Sequence, residues 1–291
     1  MPTSEEPISL PSGGALYIEG ASSGDPVLFL HGVGGGAWSW RPQRAALAPS
    51  RPIFTWEARG RGSALPLGEF GFADFYADAR EALAAVIESA RRPAFLVGHS
   101  LGAFLALALA CDSAAAVRGL CLIDPFYASG DGRAIVPIPL ALAARFFLVP
   151  FLRSSSAENA IIRRLSRWFF QRTFENRERM EAAWQDQRQH GPLIFPRLLR
   201  EALGAPTGVA LRPFAAEIAA PTMVLQATGR GRLRAPELVS VLRERLGPHF
   251  HHEVVSGGHY LQLDQPDVVN RHLERFLASY ATISPSASSS G

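Results

Sequence analysis

The chain contains no lysine, and arginine supplies all 29 of its basic residues. A mechanism that depends on an active-site lysine is therefore excluded. Cysteine is also scarce, with only Cys111 and Cys121, and both stand in apolar stretches. These surroundings indicate small buried residues rather than a disulfide, and no spacing of cysteines and histidines resembles a zinc site. We expect neither a metal ion nor another cofactor.

A long uninterrupted apolar segment is missing as well. The most apolar stretch, Ala134–Leu152, contains three prolines and Arg145, which argues against a membrane span. The first residues, Met1–Pro7, lack both the basic and the apolar part of a secretory signal. A cytoplasmic location is the expectation that follows.

The 291 residues are 47% hydrophobic and 19% charged, which is the composition of a globular protein. A chain of this length can bury a large apolar core without disulfides or a structural metal. The net charge of +3 is small, and the arginines are scattered and mostly interleaved with acidic residues. This distribution favours an ordinary solvated surface over a nucleic-acid-binding one. No pattern indicates an oligomeric state.

Eight short apolar runs, bounded by glycine, proline or charged residues, predict the strands of a buried and mostly parallel sheet. They are Ile8–Leu10, Ala15–Glu19, Val27–Leu30, Ile53–Trp56, Ala94–Val97, Leu120–Ile123, Thr222–Gln226 and His252–Val255. The first two are expected to form a hairpin. Four segments have helical character, and they are Phe72–Ala90, Leu101–Cys111, Pro236–Leu246 and Pro266–Tyr280. This alternation predicts an α/β fold with a sheet flanked by helices.

The alternation stops in the middle of the chain, where residues 126–212 are helical in character and rich in aromatic side chains. We interpret this segment as a helical cap inserted over one edge of the sheet, which would supply the walls of a pocket. The core is then formed by residues 1–125 and 213–281. The serine-rich residues 282–291 are expected to be disordered.

The motif GHSLG at residues 98–102 directly follows a predicted strand and directly precedes a predicted helix. In this context it predicts a nucleophile elbow, a strained turn that lifts the serine hydroxyl above the sheet. Glycines are required at both ends because side chains there would clash with the neighbouring strand and helix. The N–H after the serine points to where an oxyanion would form. Ser100 is thus the candidate nucleophile and Leu101 a candidate oxyanion-hole donor.

A second glycine-rich loop, HGVGGG at residues 31–36, follows the strand Val27–Leu30. Its position fits the other oxyanion donor, the backbone N–H of Val33. A dinucleotide-binding loop is the rival explanation, but the spacing is not G-x-G-x-x-G, and no acid stands after the next predicted strand in the way expected for ribose binding, although Glu57 is nearby. We interpret His31 as a structural residue of the loop.

A third glycine-rich segment, GGHY at residues 257–260, lies between the last predicted strand and the last predicted helix. A loop there can bring an imidazole to the serine as a general base. Among the eight histidines, His259 is favoured by the chain order serine, acid, histidine that nucleophile-elbow enzymes share.

Six motifs spread over most of the chain resemble those of the α/β-hydrolases with a helical cap, in the serine carboxylesterase and lipase-like branch. They are HGVGGGAWSW (31–40), EARGRG (57–62), GHSLG (98–102), LIDP (122–125), PTMVL (221–225) and GGHYLQLDQP (257–266). Glu57 stands where the family usually has aspartate, in a structural turn with Arg59 and Gly60. The motifs are specific for the fold and much less so for the substrate.

One position departs from the family pattern. The family usually carries its triad acid after the strand that is Thr222–Gln226 here, but this chain has Arg230 at that position and no acidic residue between Ile218 and Pro236. A second placement known in the family follows the preceding strand, where this chain has Asp124. Either location can bring a carboxylate to the histidine Nδ1–H. Asp124 is the candidate acid, and a Ser–His dyad or an acid from elsewhere, such as Asp131, stays open.

A serine at the elbow implies acyl transfer through an acyl-enzyme, with water as the second nucleophile. The resemblance therefore implies hydrolysis of small carboxylic esters with apolar groups. Dehalogenases and epoxide hydrolases of the fold use a carboxylate nucleophile, and plant-type hydroxynitrile lyases use a lysine, so none of these fits. Cofactor-free haloperoxidases share the triad and stay open. Six residues are candidates for the substrate pocket: Gly32, His99, Phe126, Trp168, Phe169 and Tyr260.

Two further alternatives stay open. Arg163, Arg164 and Arg167 interleave with apolar residues in the predicted cap. A solvated arginine face is the simpler interpretation, but an inward-pointing arginine would favour a C–C bond hydrolase of acidic ring-cleavage products. If Arg230 instead marks a decayed site, the chain would be a non-catalytic ligand-binding member of the fold.

Overall fold

The computed structural model describes residues 6–61, 70–125, 164, 167–168, 170–189, 217–232 and 235–281. The strands are β1 (Ile8–Ser9), β2 (Ala15–Gly20), β3 (Val27–Leu30), β4 (Pro52–Glu57), β5 (Ala94–His99), β6 (Val117–Ile123), β7 (Thr222–Ala227) and β8 (Phe250–Val255). The helices are α1 (Arg41–Leu47), α2 (Phe72–Ala90), α3 (Leu101–Asp112), α4 (Arg177–Gln189), α5 (Pro236–Leu246), α6 (Leu261–Asp264) and α7 (Pro266–Ser279).

The eight strands form one sheet in the order β1-β2-β4-β3-β5-β6-β7-β8. Strands β1 and β2 form the predicted antiparallel hairpin, in which Ile8 pairs with Leu16, and β2 pairs antiparallel with β4. The five remaining pairings are parallel. The predicted fold class, a mostly parallel eight-stranded sheet flanked by helices, is therefore confirmed.

Alternating side chains of the strands supply two separate apolar cores, because successive residues of a strand point to opposite faces of the sheet. In β5, Leu96 packs into the core shared with α2, α3 and α5, whereas Phe95 and Val97 pack into the core shared with α1 and α7. Both faces are covered by helices, which explains why the central strands are continuously apolar rather than alternating.

Helix α3 is surrounded by protein. Every residue from Leu101 to Ala110 is buried, in agreement with an amino-acid pattern that is apolar nearly all round. Its packing against β5 and β6 places its N-terminus at the carboxyl edge of the sheet.

Most predicted boundaries agree with the structure within three residues, and α2 and α5 agree at both ends. Two helices have no counterpart among the predicted elements. Helix α1 spans seven residues and α6 spans four, so neither is long enough for a helical hydrophobic period to develop.

The predicted cap lies largely outside the described residues, which include only 164, 167–168 and 170–189 of its range. Helix α4 falls in this part. Asp131, Phe126, Phe169 and the tail 282–291 also lie outside the described residues. Within the described part of the chain, no helix is long and apolar enough to cross a membrane.

Candidate active site

Ser100 occupies a sharp turn between β5 and α3. Its backbone has φ +52° and ψ −114°, a combination that L-residues avoid and that costs on the order of 1–3 kcal/mol. Its N–H donates to the carbonyl of Ile123 at 3.1 Å, while its own carbonyl accepts from Ala103 at 3.1 Å. The turn is therefore held from both sides, and the strained geometry is the one that a nucleophile elbow requires.

Two glycines flank this turn at points where no side chain fits. A Cβ on Gly98 would lie 2.3 Å from the carbonyl oxygen of Gly102, and a Cβ on Gly102 would lie 2.0 Å from that of Leu30. Both clashes are with backbone, which cannot rotate away. The glycines thus permit helix α3 to sit directly against strands β3 and β5.

Asp124 and His259 come together although 135 positions separate them in the sequence. The Oδ2 atom of Asp124 lies 2.6 Å from Nδ1 of His259, and the aspartate side chain is fully buried. The other carboxylate oxygen accepts from the N–H of Ala227 at 3.2 Å. Asp124 also has a positive φ of 39°. A short contact between a buried carboxylate and an imidazole holds the ring in one orientation and favours the tautomer with hydrogen on Nδ1.

His99 supports His259 from behind. Its Nε2–H donates to the backbone carbonyl of His259 at 2.9 Å, and its ring lies 4.6 Å from the ring of His259 between centroids. Burial, reinforced by the neighbouring His259, holds the pKa of His99 well below its usual value. His99 is therefore neutral at physiological pH and does not add a competing charge beside His259.

The glycine-rich loop after β3 is held at the peptide between Gly32 and Val33. The carbonyl of Gly32 accepts from Nδ1–H of His31 at 2.8 Å and from the N–H of Gly35 at 3.0 Å. In a trans peptide the C=O and N–H point in opposite directions, so these contacts also fix the direction of the Val33 N–H. The second ring nitrogen of His31 accepts from the N–H of Ala58 at 3.0 Å.

His31 is fully buried, and burial together with the nearby Arg61 lowers its pKa to about 3. It is therefore a neutral imidazole whose two nitrogens have opposite roles, Nδ1 as donor and Nε2 as acceptor. Arg61 is itself buried beneath the loop, and its Nε–H donates to the carbonyl of Gly35 at 2.9 Å. Burial lowers the pKa of Arg61 to about 10, so the guanidinium remains charged at neutral pH.

Glu57 anchors the far end of the same loop. One carboxylate oxygen accepts from the N–H of Ala37 at 3.2 Å and the other from the hydroxyl of Tyr17 at 3.0 Å. Glu57 therefore has a structural role in holding the loop, and Arg59 of the same motif pairs with Asp78. A small enclosed cavity beside the loop is lined by residues that include Val33, Leu101 and Arg61.

Aromatic side chains close one side of the site. Tyr260 is buried and packs against Phe174, with ring centroids 5.2 Å apart and planes 8° from parallel. Its hydroxyl donates to the carbonyl of Val33 at 3.1 Å. The remaining members of this buried cluster are Trp38, Phe170, Met180, Ala183 and Trp184. The segment 170–189 therefore covers the loops that carry His259 and Val33 with apolar surface.

Asp264 ties that segment to the loop of His259. Its buried carboxylate accepts from three backbone N–H groups, those of Glu175 at 3.0 Å, Asn176 at 2.9 Å and Gly258 at 2.7 Å. The backbone N–H of His259 donates to the carbonyl of Arg230 at 2.9 Å. The backbone of His259 is thus held by hydrogen bonds at both its N–H and its C=O.

The six pocket candidates differ in their surroundings. Gly32, His99 and Tyr260 lie beside the residues just described, and a Cβ on Gly32 would lie 3.0 Å from the Cβ of Ser100. Trp168 is 53% exposed and carries the guanidinium of Arg172 over its ring at 4.4 Å. Phe126 and Phe169 lie outside the described residues.

The arginines of the predicted cap do not point into the site where they are described. Arg167 donates to both carboxylate oxygens of Glu181 at 2.9 Å, and Arg164 is exposed. Arg163 lies outside the described residues. At the position where the family usually has its acid, the side chain of Arg230 is 67% exposed and approaches Glu175 at 3.7 Å.

Three structural contributors escape the sequence patterns. Asp264, Arg61 and Phe174 act through contacts between segments far apart in the chain, so no local spacing indicates them. Asp264 and Arg61 do lie inside the quoted motifs GGHYLQLDQP and EARGRG, and these motifs are the signals that could have drawn attention to them. Among the described residues, no group of three or more histidine, cysteine, aspartate or glutamate side chains could hold a metal ion.

The family model of the alpha/beta hydrolase family matches residues 27–272. The match covers most of the chain, and together with the sheet order and the elbow it shows that the chain belongs to this family. An esterase from Exiguobacterium antarcticum superposes with a TM-score of 0.72 at 19% identity, over 94% of this chain and 98% of that one. At such low identity the likeness shows the fold alone.

The curated relatives share shorter segments. "Putative carbamate hydrolase RutD" of Azorhizobium caulinodans is 33% identical over 119 residues, which are 40% of this chain and 43% of that protein. "1-acylglycerol-3-phosphate O-acyltransferase ABHD5" of Rattus norvegicus is 29% identical over 135 residues, 42% of this chain and 36% of that protein. The chain thus matches less than half the length of these relatives.

Proposed function

We propose that the chain is a serine hydrolase that cleaves carboxylic esters of apolar substrates, held in a roomy apolar pocket, through an acyl-enzyme. Ser100 is the nucleophile, His259 the general base and Asp124 the acid. The observation that carries this proposal is the 2.6 Å contact between Asp124 Oδ2 and His259 Nδ1, made by a fully buried carboxylate beside a strained elbow serine. The usual acid position is occupied by Arg230, so Asp124 takes the second placement.

In the acylation step, His259 Nε2 removes the proton from Ser100 Oγ as that oxygen attacks the ester carbonyl carbon. The carbonyl π electrons move to oxygen, and the oxyanion is stabilised by the N–H groups of Val33 and Leu101. The imidazolium, stabilised by Asp124, then protonates the leaving alkoxide as the C–O bond breaks. Water repeats the sequence on the acyl-enzyme and releases the acid.

The second oxyanion donor is favoured by its place in helix α3. Leu101 is the first residue of this helix, and N–H groups in the first helical turn have no intrahelical acceptor. The aligned peptide dipoles add a partial positive charge there, which favours a developing anion. We propose that the carbonyl group of the substrate binds at this end of the site, next to the N-terminus of α3.

An apolar substrate is supported by the buried aromatic cluster around Tyr260 and Phe174. We further propose that residues 126–212 form a helical cap that completes the pocket, with Trp168, Phe126 and Phe169 among its wall residues. The alternative of a C–C bond hydrolase requires an arginine of the cap that points into the pocket. The described candidates do not support it, because Arg167 is paired with Glu181 and Arg164 is exposed.

The direct test is hydrolysis of p-nitrophenyl butyrate by the wild type, Ser100→Ala and Asp124→Asn. We expect Ser100→Ala to be inactive, and Asp124→Asn to lose roughly 10³–10⁴-fold in kcat because an amide no longer fixes the tautomer or stabilises the imidazolium. Asp267→Asn, an exposed residue in the first turn of α7, is the matched control and should retain wild-type kcat.

Each alternative has its own outcome. Wild-type turnover by Asp124→Asn would contradict the assignment of the acid. Activity that falls as the acyl chain lengthens would contradict a roomy apolar pocket. A wild type that neither turns over esters nor reacts at Ser100 with a fluorophosphonate would instead favour a ligand-binding member of the fold.

A further inference from the structure

The Val33 peptides are held by two independent sets of contacts. His31 and Gly35 both donate to the carbonyl of Gly32 and so fix the peptide that carries the Val33 N–H. The next peptide is held at the carbonyl of Val33 by the hydroxyl of Tyr260 at 3.1 Å. The first set fixes the direction of the Val33 N–H, and the second restrains the Val33 Cα and therefore the position of that N–H in the site.

The loop itself provides little further restraint on the second peptide. The side chain of Val33 is 37% exposed, so packing does not anchor it. The following residue, Gly34, has φ +75°, in the region that glycine enters and leaves with little steric cost. The Tyr260 hydroxyl therefore holds the peptide that precedes Gly34, the residue with the widest conformational range in this part of the loop.

Tyr260 is well placed to act as a rigid support. Its side chain is 1% exposed, its ring contacts those of Phe174 and His99, and its N–H donates to the carbonyl of Thr173 at 3.3 Å. Burial raises the pKa of its hydroxyl, so the group remains a proton donor at all physiological pH values.

We propose that Tyr260 is a positioning residue of the oxyanion hole, whose hydroxyl holds the Val33 carbonyl and so keeps Val33, with its N–H, in place beside the developing oxyanion. The inference rests on the proposed function for its catalytic consequence. It also links three parts of the site, because Tyr260 follows the candidate base His259 in the chain and packs on Phe174 of the covering segment.

The test is Tyr260→Phe, which deletes one hydroxyl and leaves the ring stack in place. Loss of one oxyanion donor costs about 10²–10³-fold in kcat. A donor that is misaligned rather than deleted should cost less, and we expect about a tenfold fall with KM within about twofold. Affinity for a boronic acid, which forms a tetrahedral anion on serine, should fall by a similar factor. Tyr280→Phe, which removes a hydroxyl contact to His251 at the end of α7, is the matched control.

A second readout does not depend on turnover. Hydrogen–deuterium exchange of the amides of residues 31–36 should be faster in Tyr260→Phe than in the wild type, and unchanged in Tyr280→Phe. Wild-type exchange in this segment would overturn the inference whatever the activity, and so would a kcat equal to that of the wild type. If the wild type is inert toward esters and fluorophosphonates, the proposed function fails, while the exchange result still decides whether Tyr260 holds the loop.

Discussion

At the scale of single residues, the site depends on histidines that are kept uncharged. His31 and His99 are both buried, and burial lowers the pKa of each. Each neutral ring uses one nitrogen as a donor to a backbone carbonyl, that of Gly32 for His31 and that of His259 for His99. Protonation of His31 would turn Nε2 into a second donor facing the N–H of Ala58, with which it could no longer bond.

This arrangement predicts a loss of stability in acid. The pKa of His31 is about 3 in the folded chain, against about 6.5 in an unfolded one. Between these values the unfolded chain binds a proton that the folded chain does not. The free energy of unfolding is therefore undiminished above about pH 6.5 and falls as the pH drops toward 3, by up to about 1.4 kcal/mol per pH unit for one such group. His99 contributes in the same direction.

The measurement is urea unfolding between pH 7 and pH 4 for the wild type and His31→Asn. Asparagine keeps a donor near the position of Nδ1 but does not titrate. The free energy of unfolding of the variant should therefore fall less steeply with decreasing pH, by the contribution of one titrating group. His249→Asn, an exposed residue, should follow the wild-type slope. A wild-type slope in His31→Asn would contradict the assignment.

At the scale of elements, the unit formed by β5, the Ser100 turn and α3 carries the local geometry of the site. A motif of five residues specifies it because the constraints are local: a strained residue between two glycines, preceded by a strand and followed by a helix. The positions of β3 and β6 beside it supply the remaining restraint, as the bond from Ser100 N–H to the carbonyl of Ile123 indicates.

The close packing of α3 against β3 predicts that Gly102→Ala strongly destabilises the fold. The new Cβ would lie 2.0 Å from the carbonyl oxygen of Leu30, so α3 must move away from the sheet. We expect a loss of more than about 3 kcal/mol in the free energy of unfolding, or no folded protein at all. Urea unfolding monitored by tryptophan fluorescence measures it.

Gly247→Ala is the matched control, since a Cβ there meets nothing within 4 Å although φ is +51°. It should cost only the backbone strain, about 1–3 kcal/mol, because its φ of +51° and ψ of −119° are close to those of Ser100. Equal losses in the two variants would show that crowding at Gly102 is not what the glycine relieves.

At the scale of the whole molecule, the site is assembled from five loops at the carboxyl ends of β3, β5, β6, β7 and β8, which parallel strands bring to one edge of the sheet. The segment 170–189 then joins these loops through Asp264 and Tyr260. We therefore expect stability and activity to be coupled through a few buried contacts between distant segments.

Asp264→Asn tests this coupling. An amide has one acceptor oxygen in place of two. Its NH₂ group would face either the N–H of Asn176, which now bonds to Oδ1, or the N–H groups of Glu175 and Gly258, which now bond to Oδ2. We expect a loss of about 2–4 kcal/mol in the free energy of unfolding and a lower kcat for p-nitrophenyl butyrate, since the loop of His259 loses its anchor. Urea unfolding and steady-state kinetics measure the two effects.

The control lies in the same segment. Asp186→Asn breaks a pair with Arg41, whose side chain is 66% exposed, and exposed pairs of this kind contribute about 0–1 kcal/mol. If Asp264→Asn is no worse than Asp186→Asn, the carboxylate of Asp264 is not the link between the segments.

The sequence alone determined the features whose causes are local. Apolar runs predicted all eight strands, most clearly the central strands β3 to β7, which are buried almost throughout. The glycine-rich loops marked the turns beside Ser100, Val33 and His259. It also left the acid open between Asp124 and other groups. Only the tertiary structure brought Asp124 Oδ2 to within 2.6 Å of His259 Nδ1, because that distance depends on how β6 and β8 are spaced across β7.

The same reason explains the contacts that no pattern revealed. The Tyr260 hydroxyl meets Val33 across 227 positions, and the Asp264 carboxylate meets Asn176 across 88. Periodicity and motif spacing report which face of an element is buried and where the chain turns. They carry no information on which two buried groups, each acceptable alone, the folded chain will place together.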